Sequence, residues 1–441
     1  MKKICYFLIF LYCGCLLGIS QTRFVLQNDK KFEKVPFKLI NNLIIIPVEI
    51  NDVSLSFILD TGVSKPIVFS FLHEQDTLQI YNSEAFFLRG LGEGESYEAS
   101  KSTNNIFKVG NAISLNQDMY AIHDANLNFT SQLGVPVHGI IGFDLFKDFI
   151  VEINYSSKHL KLHDPKYYKY KNCKKCETIN LEFYNNKPYL NAEVSVNDTK
   201  IPVKLLIDSG GSDALWLFED DDLGLYEGER YFNDFLGKGL SGSVYGKRAK
   251  IHKLHLKSFT LKAVNVAYPD SLTVAIAKRF KDRNGSVSGQ VLKRFNMVVD
   301  YRGARLTLKK NKFFKDDFNY NKSGIEIEHR GELMIKEDVT YSLNALSNRD
   351  VNDEARLTPT YKYLIKPAFV IVELRAGSPA AEAGLLKGDV VLQVNKKDTY
   401  KFKLQEVVRL FYEKEGDEVT VLVDRNGSVR EYRFRLRSPL K

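Results

Sequence analysis

The chain is poor in cysteine. Of five cysteines in 441 residues, Cys5, Cys13 and Cys15 fall at the extreme N-terminus, and only Cys173 and Cys176 lie beyond. With no second pair of thiols there is no complete four-ligand zinc set. No thioredoxin-like surroundings mark a redox motif. In an oxidising compartment the two would close a small local disulfide; a partial metal site and a redox pair are the other readings. After residue 20 no run is long and apolar enough to span a bilayer as a helix. The eight histidines never fall in the His-Glu-x-x-His spacing, which argues against a metal-dependent hydrolase. The formal charge is +9, yet the basic residues are scattered among acids. No basic stripe interleaved with aromatics points to nucleic acid.

What is present begins with an export-like start. Lys2-Lys3 precedes an apolar stretch from Ile4 to Leu17, and Gly18-Ile19-Ser20 puts small residues where a signal peptide is cut. Residues 1–20 are therefore expected to be a secretory signal, which places the protein in a periplasm or outside the cell. A lipoprotein signal, invited by Cys13 and Cys15, fits less well, because Tyr12-Cys13-Gly14 lacks a branched aliphatic residue before Cys15. A chain of this length is too large for one core and implies two or three domains.

The middle of the chain is organised around two short triplets, Asp60-Thr61-Gly62 and Asp208-Ser209-Gly210. Each follows an apolar run, Leu55 to Leu59 and Val203 to Ile207, that reads as a buried strand. Each run is preceded by an Asn-Asp turn, Asn51-Asp52 and Asn197-Asp198, and by a further apolar strand. Phe146 to Tyr155 repeats as Leu292 to Tyr301, and Leu160-Lys161-Leu162 repeats as Leu306-Thr307-Leu308. A near-constant offset over this span indicates two copies of one unit. Two carboxyl groups brought close cannot both ionise; they share a proton and can act as base and acid together.

With Gly139-Ile140-Ile141-Gly142 after the first triplet and Gly285-Ser286-Val287-Ser288-Gly289 after the second, residues 35 to 312 resemble the retropepsin-like and pepsin-like aspartic peptidases. The resemblance implies a mainly β fold of two homologous barrel lobes, 24–165 and 187–312, joined by a connection at 166–186. It implies Asp60 and Asp208 as the catalytic pair, supported by Thr61, Gly62, Ser209 and Gly210. Flaps over the cleft would include Gly90, Gly92, Gly94 and Tyr97 from the first lobe and Gly239, Gly242 and Tyr245 from the second. Neither metal nor organic cofactor is implied, and the partner is a peptide or protein substrate.

The tail differs in character. Gly377-Ser378-Pro379-Ala380-Ala381-Glu382-Ala383-Gly384, followed by Gly388-Asp389, resembles the PDZ domains of bacterial proteases. Residues 320–437 are expected to form that α+β domain, with an irregular insertion at 337–360. Such domains add a peptide to a sheet edge and capture a carboxylate on backbone amides. Gly324, Ile325 and Ile327 lie at one candidate binding loop, and residues 363 to 365 mark another. The alternative to an enzyme is a peptide-binding protein that keeps a peptidase fold without cutting.

Overall fold

The computed structural model describes residues 23–440, apart from 28–29, 70–77, 89–96, 123–126, 197–198, 241, 271–273, 276, 278–279, 281 and 340–359. The expected signal, residues 1–20, lies outside the described residues, as do Gly90, Gly92 and Gly94. Strands dominate what is described, and the helices are short.

Two closed rings of six strands form the N-terminal two-thirds of the chain. In the first, Ala112–Ile122, Ile67–Phe69, Gly139–Ile141, Val53–Leu59, Leu43–Ile50 and Tyr97–Val109 follow one another, and the last pairs back onto the first. The second ring runs Lys187–Val196, Thr199–Asp208, Gly285–Ser288, Leu215–Leu217, Phe259–Pro269 and Gly242–Leu256, and closes the same way. Both contain the same two parallel pairings. Gly139–Ile141 runs parallel to Val53–Leu59, and Gly285–Ser288 runs parallel to Thr199–Asp208. Ile67–Phe69 is parallel to Ala112–Ile122, and Leu215–Leu217 to Phe259–Pro269.

The apolar runs of the sequence are strands covered on both faces, as such continuous runs require. Ile44, Ile46, Val48 and Ile50 enter the main core, while Leu43 and Ile45 enter a second cluster on the other side. The tight turns follow from side-chain type. Asn41-Asn42, Asn51-Asp52 and Asn185-Asn186 all take positive φ, the left-handed backbone that Asn and Asp tolerate and that two-residue hairpins need.

The two rings are joined by a sheet to which both contribute. Its order is Phe32–Pro36, His159–His163, Ile150–Asn154, Phe295–Asp300, Arg305–Lys310 and Cys176–Asn180. At its centre Glu152 pairs with Val298, its own counterpart in the repeat, so the local two-fold passes through that pair. The stretch 166–186, expected as a connection, contributes two strands, Cys176–Asn180 and Glu182–Tyr184. Cys173 and Cys176 are joined in a disulfide there. The main hydrophobic core runs through both rings without a break.

The third body has its own core around Ile327, Phe369, Val391, Val407, Val421 and Phe434. Its sheet runs Ile325–Val339, Thr360–Leu374, Val390–Val394, Glu418–Arg425 and Ser428–Arg435. The expected short strand at 324–327 continues to Val339 and resumes at Thr360, so both ends of the expected insertion are strand. Residues 340–359 of that insertion lie outside the described residues.

Close backbone approach makes particular glycines obligatory. A methyl group on Gly285 would lie 1.9 Å from the carbonyl oxygen of Trp216. Gly285→Ala is expected to cost about 1–3 kcal/mol, the range for overpacking a rigid neighbour. Urea denaturation checks this; an unchanged midpoint contradicts the packing described.

Candidate functional site

The parallel pairings deliver the two triplets to one place. Asp60 follows directly on Val53–Leu59, and its N–H donates to Ile141 O at 2.9 Å. Asp208 ends Thr199–Asp208, opposite Ser288. Each turn passes under the glycine that closes the neighbouring strand. A methyl on Gly142 would lie 1.9 Å from Asp60 O, and one on Gly289 would lie 2.8 Å from Gly211 O.

Thr61 and Ser209 lock the triplets together. Thr61 N donates to Ser209 Oγ at 3.0 Å, and Ser209 N donates to Thr61 Oγ1 at 3.0 Å. Each hydroxyl then donates across the junction, Thr61 Oγ1 to Ile207 O at 2.7 Å and Ser209 Oγ to Leu59 O at 2.8 Å. Both residues are buried, so these four bonds are shielded from water. Two further contacts cross the junction nearby: Asn42 Nδ2 donates to Ser212 O at 2.7 Å and Ser64 Oγ to Asn185 O at 3.0 Å.

The lock sets the carboxyl groups against each other. Gly62 N donates to Asp60 Oδ1 at 2.6 Å, and Gly210 N donates to Asp208 Oδ1 at 3.1 Å. The Gly210 backbone also favours the ionised form of Asp60, though less than the Gly62 amide does. A methyl on Gly210 would sit 2.4 Å from Asp60 Cγ, which is why that position must be glycine. Burial, and then the charge of Asp208, raise the Asp60 carboxyl to about 7. Burial raises Asp208 as well, opposed by the positive charges of Arg283 and Lys187. One proton is thus retained by the pair at pH values where an ordinary carboxyl has lost it.

The flanking residues were silent in the sequence. Arg283 is buried and its charge acts on Asp208; it donates to Gly285 O at 3.1 Å and Ser286 Oγ at 2.6 Å. It sits in a polar loop with no motif around it. Tyr301 OH donates to Thr61 O at 3.2 Å while its ring stacks on Phe146. The repeat offered Tyr155 and Tyr301 as equivalents, yet the Tyr155 hydroxyl is buried without a partner.

Of the expected flap residues, Gly239 and Gly242 pair at the tip of the hairpin Tyr231–Gly239 and Gly242–Leu256. Gly242 has φ +107, which only glycine takes without strain. Leu240 at this tip packs against the first-ring cluster of Leu43, Ile45 and Ile58, so the hairpin reaches across from the second ring to the first. Tyr245 OH donates to Glu373 Oε1 at 3.1 Å, so its polar end is taken up by the C-terminal body. Tyr97 begins the strand Tyr97–Val109 and pairs with Leu88.

A chain of charges continues from the site into the C-terminal body. Asp213 accepts from Trp216 Nε1 at 2.7 Å and from Arg248 at 2.9 Å. Arg248 also pairs with Asp234 at 3.0 Å, and Arg375 reaches Asp234 at 3.7 Å. Within that body Ile325 and Ile327 point into the core, and Gly324 packs against Ser378, whose Cβ lies 2.2 Å from where a methyl would be. No group of three or more His, Cys, Asp or Glu among the described residues is arranged to hold a metal.

A PDZ-domain family model matches residues 370–425, so the C-terminal body is a PDZ domain. No curated protein matches the chain.

Two measurements test the site geometry. Thr61→Val leaves Ser209 N and Ile207 O buried without a partner, at a cost of about 1–3 kcal/mol for each such group. Ser209→Ala on top of it is expected to be strongly sub-additive in a double-mutant cycle; simple additivity would contradict the reciprocal lock. The pH dependence of stability gives the second. A carboxyl raised to about 7 holds in the native state a proton that the unfolded chain has lost. Its stabilising contribution is therefore full below about pH 4 and declines as pH rises towards 7. Asp60→Asn should flatten that decline; an unaltered slope would contradict the proton retained by the pair.

Proposed function

We propose that the protein is an exported aspartic endopeptidase. The observation that carries the reading is the reciprocal bonding of Thr61 and Ser209, which holds two half-buried carboxyl groups against each other, each on the amide two residues ahead. Asp60 and Asp208 hold one proton between them. The ionised member takes a proton from a water as that water attacks a peptide carbonyl. The protonated member gives its proton to the carbonyl oxygen. A later proton transfer to the amide nitrogen lets the carbon–nitrogen bond break. Gly62 and Gly210 keep the approach to the acids open, and their amides hold the carboxylates in orientation. The hairpin ending at Gly239 and Gly242 covers the substrate chain. The PDZ domain supports a peptide-binding role.

Export is supported by the signal-like first twenty residues and by the Cys173–Cys176 disulfide. No helix among the described residues is long and apolar enough to cross a membrane.

Cleavage of a mixed peptide library should proceed on the acid side of neutrality and fall as pH rises through about 7. Asp60→Asn and Asp208→Asn should each reduce it by at least about 10³-fold, as loss of one member of an acid–base pair does. Retained cleavage in either variant discards the pair as the catalyst. Peptide binding by the wild type with no cleavage at any pH would assign the protein to peptide capture alone.

A further inference from the structure

Among the described residues the edge strand of the PDZ domain, Ile325–Val339, has a neighbouring strand on one side only, Thr360–Leu374. In PDZ domains an extended peptide adds to such an edge, and backbone amides at its start take the terminal carboxylate. Here both ends of the groove are already engaged.

At the loop end, Asn321 Oδ1 accepts from Ser323 N at 3.0 Å, from Ser323 Oγ at 2.8 Å and from Gly324 N at 3.1 Å. Ser323 Oγ accepts from Ile325 N at 3.0 Å, and Asn321 Nδ2 donates to Ile325 O at 2.7 Å. Three successive amides that would otherwise meet a carboxylate each have a partner from their own loop. Asn321 is itself buried. At the far end, the groove passes between His329 on the strand and the start of helix Leu404–Leu410. That space holds a turn of the first ring. Gln405 Nε2 donates to Leu133 O. A methyl on Gly134 would lie 2.7 Å from Leu404 Cβ and 3.5 Å from His329 Cε1. Gly134 is the left-handed cap of helix Phe129–Leu133, with φ +59. Its lack of a side chain is what lets the turn seat there.

We propose that the peptide groove of this PDZ domain is occupied intramolecularly, with the Leu133–Gly134 turn at one end and Asn321 closing the carboxylate loop at the other. An incoming peptide is then an internal extended segment, bound in exchange for the turn and without preference for a free C-terminus. The exchange is felt beyond the groove. The same domain grips the second-ring hairpin through Arg375 to Asp234, Lys238 to Glu328 at 3.5 Å and Tyr245 to Glu373. Losing the turn removes the first-ring anchor of that grip.

The inference is independent of the carboxyl pair, and its test reads exchange and binding rather than cleavage. In the full chain, Gln405→Ala should speed amide hydrogen exchange of residues 133–137 by about fivefold, the effect of one lost hydrogen bond. Gly134→Lys should open the groove outright and also speed exchange of the hairpin at 231–256. A synthetic peptide of residues 127–138 should bind the Gly134→Lys protein at least about tenfold more tightly than wild type. Its acid and amide forms should bind alike. Unchanged exchange in both variants overturns the proposal. So does failure of the peptide to bind the Gly134→Lys protein, or a preference of about tenfold or more for the free acid.

Discussion

Everything at the centre of this molecule depends on two hydroxyl groups that each satisfy a backbone amide of the opposite repeat. Thr61 and Ser209 exchange hydrogen bonds N–H to hydroxyl in both directions, and each passes its own proton to a carbonyl one strand away. In a buried junction, a missing partner would leave an amide or a carbonyl unsatisfied, so the arrangement is held as a set. The acids inherit their positions from it. Asp60 and Asp208 are one residue upstream of the lock in their respective turns, and each carboxyl accepts from the glycine amide two residues ahead. Their altered affinity for a proton follows from burial and, for Asp60, from the charge of Asp208.

Duplication explains why the lock can be reciprocal. Two strand rings with the same parallel pairings place equivalent turns on either side of a local two-fold. The shared six-stranded sheet, where Glu152 faces Val298, lies on that axis. The symmetry is then broken at particular side chains. Tyr301 bonds Thr61 O, whereas Tyr155 keeps a buried hydroxyl without a partner. The charge of Arg283 acts on Asp208 and so biases the two acids differently. The PDZ domain adds a second layer, tied to the second-ring hairpin by Arg375, Lys238 and Tyr245 and to the first ring by Leu133 and Gly134.

Much of this could be read from residues alone, for identifiable reasons. Repeated triplets, Asn-Asp turns and doubly apolar strands carry their own signals, because backbone geometry restricts which side chains serve there. The Gly-Ser-Pro-Ala-Ala run announced the PDZ domain in the same way, and the family match at 370–425 agrees. What stayed hidden depends on distant contact. Nothing near Arg283 or Lys187 marks them as neighbours of the acids. Ile325 and Ile327, at one candidate binding loop, turn their side chains into the core of the domain. The strand expected only at 324–327 runs on to Val339, an extension the sequence does not mark because polar residues dominate there and periodicity is weak. Gly134 gave no signal, since one glycine after a short helix is an ordinary cap until its neighbour is known.

The central claim is that one proton is held jointly by Asp60 and Asp208. It is tested most directly by carboxyl-carbon NMR titration of protein labelled at aspartate, with Asp60→Asn and Asp208→Asn used for assignment. The account has one of the two signals, and one only, changing as pH passes about 7, and the remaining acid shifting its own titration when its neighbour is replaced. Two independent titrations near pH 4, indifferent to each other's substitution, would contradict it.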